Sequence, residues 1–171
     1  MISDNLFQDL NMTDRKIIEI ICEKLREDLA VALNAANFAH ETAADEENIP
    51  DSKYDTLSLE AAYLAEGEAK RAEEIEAALK AYEAVKLSES ADHQQVTLFS
   101  LVRLENNSGD HITIFLGHEA GGVKIRYLNE PVIIVTSKSP LGSEILGTKV
   151  GDVVDIKIND KIIDYEVISI V

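Results

Sequence analysis

Asp45-Glu46-Glu47-Asn48-Ile49-Pro50-Asp51-Ser52-Lys53-Tyr54-Asp55 is the stretch of this chain whose side chains could do chemistry, because it gathers five carboxylates. Such a cluster has two uses. It can cap helices and keep the chain soluble, or it can be delivered where negative charge is wanted. Ser52-x-x-Asp55 fits a capping box, with Ser52 as N-cap and Asp55 three residues on. Asp51 would then favour the positive end of the following helix. Other constellations are weaker. His40, His93, His111 and His118 show no metal-ligand spacing on a common helix. Gly117-x-x-x-Gly121-Gly122 does not stand between a strand and a helix, as a phosphate loop must. Ser139 and Ser143 lack the context of a catalytic nucleophile. The single cysteine, Cys22, excludes an internal disulfide and a cysteine-based zinc site.

The elements around the acidic stretch must hold it out. Pro50 cannot continue a helix, since it lacks an N–H and its ring clashes with the preceding turn. The runs on either side have no such breaker. Before it, Ile18, Ile21, Leu25, Ala32, Ala35 and Ala39 repeat at three and four residues, the spacing of a heptad seam that Asp28 interrupts once. Asn11 or Thr13 is the expected cap. After it, Ala65, Glu68, Ala72, Ile75, Leu79 and Tyr82 form a matching seam, in which Gly67 costs about 1 kcal/mol relative to alanine. An antiparallel helical hairpin follows, thin towards the tip where the seam residues are small. Thirty helical residues span about 45 Å. The pattern alone is equally that of a plain coiled-coil hairpin or a dimerisation surface.

Composition bounds the partners. The chain has 171 residues, 46% hydrophobic and 5% aromatic, with no tryptophan, so a base-stacking platform is not expected. Its net charge of −16 disfavours direct DNA binding, which depends on Lys and Arg displacing counterions. The same charge favours a partner with a basic surface or channel. The N-terminus lacks the basic and apolar regions of a signal peptide, and no apolar run is long enough to cross a bilayer. A soluble, cytoplasmic, monomeric protein is expected, with no membrane contact.

Residues 1–90 carry 9 Lys/Arg against 21 Asp/Glu, and residues 91–171 carry 7 against 11. This asymmetry coincides with a change of residue pattern across the polar stretch 86–95. We therefore expect a hairpin domain over 1–88 and a second domain over 89–171. In the second, Val96, Leu98, Ser100, Val102 and Leu104 alternate as a strand does. Further strands are expected at 112–115, 123–128, 131–135, 153–158 and 162–170, with a short helix over 141–147 ending at Gly147. The expectation is a small antiparallel sheet with one helix, an α+β arrangement.

The last third reads Ser139-Pro-Leu-Gly142-Ser-Glu-Ile-Leu-Gly147-Thr-Lys-Val-Gly151-Asp152-Val-Val, then Ile163-Asp-Tyr165-Glu166-Val-Ile168. This cadence resembles the C-terminal domain of the bacterial Gre transcript-cleavage factors. Ala72-Glu73-Glu74-Ile75-Glu76-Ala77-Ala78-Leu79 resembles their second coiled-coil helix, and Asp51-Ser-Lys53-Tyr54-Asp55 falls where their tip motif lies. The resemblance implies an FKBP-like second domain that sits on the rim of the RNA polymerase secondary channel, with Ser139, Pro140, Leu141 and Gly142 contacting polymerase. It implies a coiled coil that enters the channel, where tip acids help hold a Mg²⁺ shared with the polymerase. The factor binds no cofactor alone, meets the RNA 3′ end only within the polymerase, and is an accessory rather than an enzyme. Asp51 and Asp55 are the implied metal-facing acids.

This chain departs from the usual tip, Asp-x-x-Glu-Asn. Tyr54 stands where the second acid is expected, and Asp55 comes one residue later, about 100° further round a helix. Asp45, Glu46 and Glu47 are additional tip candidates. Residues 1–12 do not resemble the usual start. Three readings stand: a cleavage-stimulating elongation factor, a regulator that occupies the same channel without cleavage, and a coiled-coil adaptor or chaperone-like module unrelated to polymerase. Prolyl isomerase activity is discounted, because the second domain offers only Phe99, Phe115, Tyr127 and Tyr165 to line an aromatic pocket.

Overall fold

The computed structural model describes residues 10–47, 55–86, 94–158 and 161–171, with backbone only for 10–13, 43, 45–47, 55–58, 158 and 161. Two long helices come first, α1 (Leu10–Glu47) and α2 (Asp55–Glu83). The three-and-four periodicity is realised in burial. Ile18, Ile21, Leu25, Ala32 and Ala39 of α1 are buried, as are Ala72, Leu79 and Tyr82 of α2. Ala35, Ala65, Glu68 and Ile75 are half-buried. Asp28, the polar break in the seam, is tied to Lys24 one turn back at 2.6 Å.

Two findings differ from the sequence reading. The helix begins at Leu10, so Asn11 and Thr13 lie inside it and neither is its N-cap. It also runs on to Glu47, so Asp45, Glu46 and Glu47 belong to its last turn rather than to a loop. At 38 residues α1 spans about 57 Å.

The chain divides into two compact units, Cys22–Ala84 and Met1–Ile21 with Val85–Val171. Within the first, Arg26 of α1 meets Glu83 at the end of α2 at 2.7 Å, while further along Ala44 of α1 and Ala62 of α2 border one cleft, so the helices run antiparallel. Both side chains are about half exposed, so this pair contributes less than about 1 kcal/mol.

In the second unit six strands form one sheet: β1 (Leu101–Asn106), β2 (His111–Gly117), β3 (Lys124–Tyr127), β4 (Glu130–Thr136), β5 (Val153–Ile158) and β6 (Lys161–Ile170). A short helix, α3 (Pro140–Ile145), stands between β4 and β5. The order across the sheet is β3-β4-β2-β1-β6-β5. The expected sheet-and-helix domain is present, but β2 and β4 pair in parallel, so the sheet is mixed. The chain leaves β2, crosses to the edge as β3, and returns through a tight turn at Leu128 and Asn129, both at positive φ. That turn reverses direction, so β4 runs alongside β2 in the same sense.

One face of the sheet carries the core. Val102, Leu104, Ile114, Leu116, Val154, Ile156, Tyr165 and Val167 pack there with Ile145 of α3. Each Leu or Ile so buried contributes roughly 1.5–3 kcal/mol. The opposite face is also dry at its centre, where Leu101, Phe115, Val132 and Ile134 are fully buried. The strand expected from Val96 begins only at Leu101. Phe99, at φ +73, breaks the extended run. Val96 is a core residue all the same, held by backbone hydrogen bonds to Gly147 and Thr148 at 2.8 Å each.

Candidate functional site

The start of α3 is built by Ser139. Its extended backbone makes it the N-cap, and its Oγ accepts a hydrogen bond from the Gly142 N–H at 3.1 Å. The same hydroxyl donates to the Thr136 carbonyl at 2.7 Å. Pro140 takes the first helical position, where its missing N–H costs nothing. Gly142 is required sterically, since a Cβ there would collide with the Thr136 carbonyl. Ser139, Pro140 and Gly142 thus fix α3 against the end of β4, as their types and spacing imply. Gly147 follows at φ +83, where the chain leaves the helix.

Next to this helix start lies a cavity of about 470 Å³. Ser139, Pro140 and Leu141 form one wall, and Ile133, Val135 and Thr136 of the β4 region another. Ile112, Ile156, Lys157 and Tyr165 close it from three further strands. Ile112, Ile133 and Leu141 pack against the core cluster, so the floor is apolar and rigid. Lys157 brings a positive charge to the lining. Lys124 stands directly opposite Ile133 on the β3–β4 ladder, and so projects to the same face of the sheet.

Sequence reasoning found Ser139, Pro140, Leu141 and Gly142. It did not find Ile112, Ile133, Ile156 or Lys157 as neighbours of that motif. Ile156 and Tyr165 fall in segments expected as strands, but the pairing that brings those strands beside α3 is non-local. Of the four aromatic residues weighed for a prolyl pocket, Tyr165 is in the lining. Phe99 instead packs on Phe115 at 6.2 Å and edge-on to His118 at 5.5 Å.

The other candidate region is the acidic end of the hairpin. Asp45, Glu46 and Glu47 occupy the last turn of α1, which holds no basic residue. Asp55 is the first residue of α2, at the helix end that favours negative charge. Asp51, Ser52 and Tyr54 lie outside the described residues. A cleft of about 480 Å³ runs between the helices below this end. It is lined by Ala36, Ala44, Ala62, Ala65 and Ala69, with Asn37, His40 and Glu66 at its edges. The thin alanine seam foreseen near the tip is therefore present. Among the described residues no group of three or more His, Cys, Asp or Glu is placed to hold a metal ion, and no helix is long and apolar enough to cross a membrane.

Comparison with known proteins bears on the sheet domain first. Residues 91–171 match the family model described as transcription elongation factor, GreA/GreB, C-terminal. The transcription elongation factor GreA of Alkaliphilus oremlandii (strain OhILAs) is 36% identical over 78 residues, and the match spans 44% of each chain. Among solved structures, GreA factor homolog 1 (Gfh1) of Thermus thermophilus is 23% identical, with 88% of this chain and 94% of that one covered, at a TM-score of 0.38. A prokaryotic transcription elongation factor GreA/GreB from Nitrosomonas europaea is 19% identical, with 77% and 90% covered, at a TM-score of 0.37. Residues 91–171, which hold the capped α3 and the cavity beside it, are thus similar to the C-terminal domain of GreA/GreB-type transcription elongation factors.

Proposed function

We propose that this chain is an accessory transcription factor that docks on RNA polymerase through its sheet domain and carries the acidic end of its hairpin into the secondary channel. The observation that carries the reading is the coexistence of two parts in one chain. One is a GreA/GreB-type domain whose Ser139-Pro140-Leu141 corner borders an apolar cavity. The other is a 38-residue helix that ends in three consecutive acids. Carboxylates at a helix C-terminus oppose the macrodipole, each by about 0.3–1 kcal/mol. Local rules broken in this way mark functional ends more often than structural ones.

The cavity, with Lys157 in its lining and Lys124 on the same face, receives an apolar projection from the polymerase rim. At the far end Asp51 and Asp55 offer carboxylate oxygens, the hard donors that Mg²⁺ takes while keeping several waters. The ion itself belongs to the polymerase, as do the reacting groups. Asp45, Glu46, Glu47 and Tyr54 flank that pair.

A second reading is favoured by one observation. Tyr54 occupies the position of the second acid, and Asp55 follows it. A tip with one acid in register would occupy the channel and retune transcription without promoting RNA cleavage. The test is RNA cleavage in a purified, backtracked polymerase complex with Mg²⁺, comparing the intact chain with Asp51→Ala and Asp55→Ala. Shortened RNA that disappears with either substitution supports cleavage by a displaced acid pair. Absence of cleavage with competition against an active Gre factor supports the channel-occupying reading. Neither cleavage nor competition removes polymerase as the partner and leaves the adaptor reading.

A further inference from the structure

The distal hairpin exposes large apolar side chains that its seam does not use. Phe38 is 73% exposed, Val31 64% and Leu64 60%. On α1 the buried positions are Ala32 and Ala39, so Val31 and Phe38 lie about 100° to one side of the seam and, seven residues apart, on one stripe. The alanine cleft takes His40, about 100° to the other side of Ala39. On α2 the cleft takes Ala65 and Ala62, while Leu64 is turned away from it. Phe38, Val31 and Leu64 therefore share the hairpin face opposite the cleft. The helices are antiparallel, and the cleft sets residues near 40 level with those near 65. Phe38 and Leu64 consequently stand within about one helical turn of each other along the hairpin.

Charge selects what covers this face. Glu41 follows Phe38 by three residues and Glu60 precedes Leu64 by four, while Glu68, four after Leu64, meets Arg71 at 3.8 Å, so the rim is acidic towards the tip and carries one cation on its proximal side. Residues 29–71 hold nine Asp/Glu against three Lys/Arg. A second copy would bring two such surfaces together, and like charges at close range oppose that pairing. Nucleic acid and anionic lipid are disfavoured for the same reason. The complementary surface is a protein with an apolar groove rimmed by Lys and Arg.

We infer that Phe38, supported by Val31 and Leu64, is an apolar anchor by which the hairpin seats against a basic-rimmed groove of RNA polymerase. The inference rests on the polymerase reading and adds a contact separate from both the acidic tip and the sheet-domain cavity. Exposed aromatic anchors of this kind dominate interface energetics once buried.

The test is binding of the full-length chain to purified core RNA polymerase, with far-UV circular dichroism as the control for helix content. Phe38→Ser should weaken binding about 30-fold, the size of an interface hot spot. Phe38→Leu should restore most of that loss. Leu33→Ser, an exposed change on the cleft side, should alter binding by less than about threefold, as surface changes away from anchors do. If the native chain binds and Phe38→Ser binds equally well with helix content intact, the anchor is overturned while the polymerase reading stands. If the native chain does not bind, both fall. Sedimentation equilibrium then identifies a second copy as the occupant if the native chain is dimeric and Phe38→Ser is monomeric.

Discussion

The sheet domain and the distal hairpin are stabilised in opposite ways. In the sheet domain, Leu104, Ile114, Leu116, Ile145 and Val167 are fully buried from four separate elements, and both faces of the central strands are dry. In the hairpin beyond residue 29, the fully or nearly buried seam positions of α1 are Ala32 and Ala39, while Phe38 and Leu64 face solvent. Large buried side chains hold a shape from many directions at once. Alanine seams bury little area, so the distal hairpin depends on helix propensity and a narrow line of contact. The difference suits the proposed roles, a fixed docking corner on one domain and a slim, polar, easily opened projection on the other.

Ile114→Ala should break the comparison from the rigid side. It removes a fully buried side chain at the centre of the core cluster. The expected loss is about 2–5 kcal/mol, read as a lower urea midpoint of the sheet domain.

Gly142→Ala tests whether the docking corner is as rigid as its packing implies. The added Cβ meets the Thr136 carbonyl, backbone that cannot swing aside. A destabilisation of about 1–3 kcal/mol is expected, as for overpacking, with weaker polymerase binding. Unchanged binding and unchanged stability would show that α3 shifts freely.

The smallest effect, and of opposite sign, is expected in the hairpin. A Cβ on Gly67 meets nothing within 4 Å, and Gly67 lies in the interior of α2. Gly67→Ala should therefore stabilise that helix by about 1 kcal/mol, read as higher mean helicity and a raised melting temperature. If cleavage or channel occupation needs the hairpin to open, the same variant should lose activity while gaining stability.

The hairpin seam was legible because helical burial is local: Ile18, Ile21, Leu25, Ala32 and Ala39 announce their face through spacing alone. The short helix ending at Gly147 was legible for the same reason, since a C-cap glycine acts within its own turn; the Ser139 cap and the steric need for Gly142 emerged only in the structure, where the carbonyl that excludes a Cβ at 142 is that of Thr136. The start of β1 was not. Alternation from Val96 looks like a strand, yet the turn at Phe99 is enforced by hydrogen bonds to Leu116, in another element. The parallel pairing of β2 with β4 was equally hidden, because strand periodicity records which face is buried and not which neighbour covers it.

By itself, then, the sequence determined a helical hairpin with acids at its end, a change of period near residue 90, a capped short helix, and the cadence that places residues 91–171 among GreA/GreB-type domains. Tertiary structure alone decided that Ile112, Ile156, Lys157 and Tyr165 enclose a cavity beside Ser139-Pro140-Leu141, and that Phe38 and Leu64 share one exposed face. The physical reason is range. Caps, turns and amphipathic stripes are set by interactions a few residues apart, whereas a cavity or a shared face is set by pairing between segments distant in the chain, whose register no local pattern specifies.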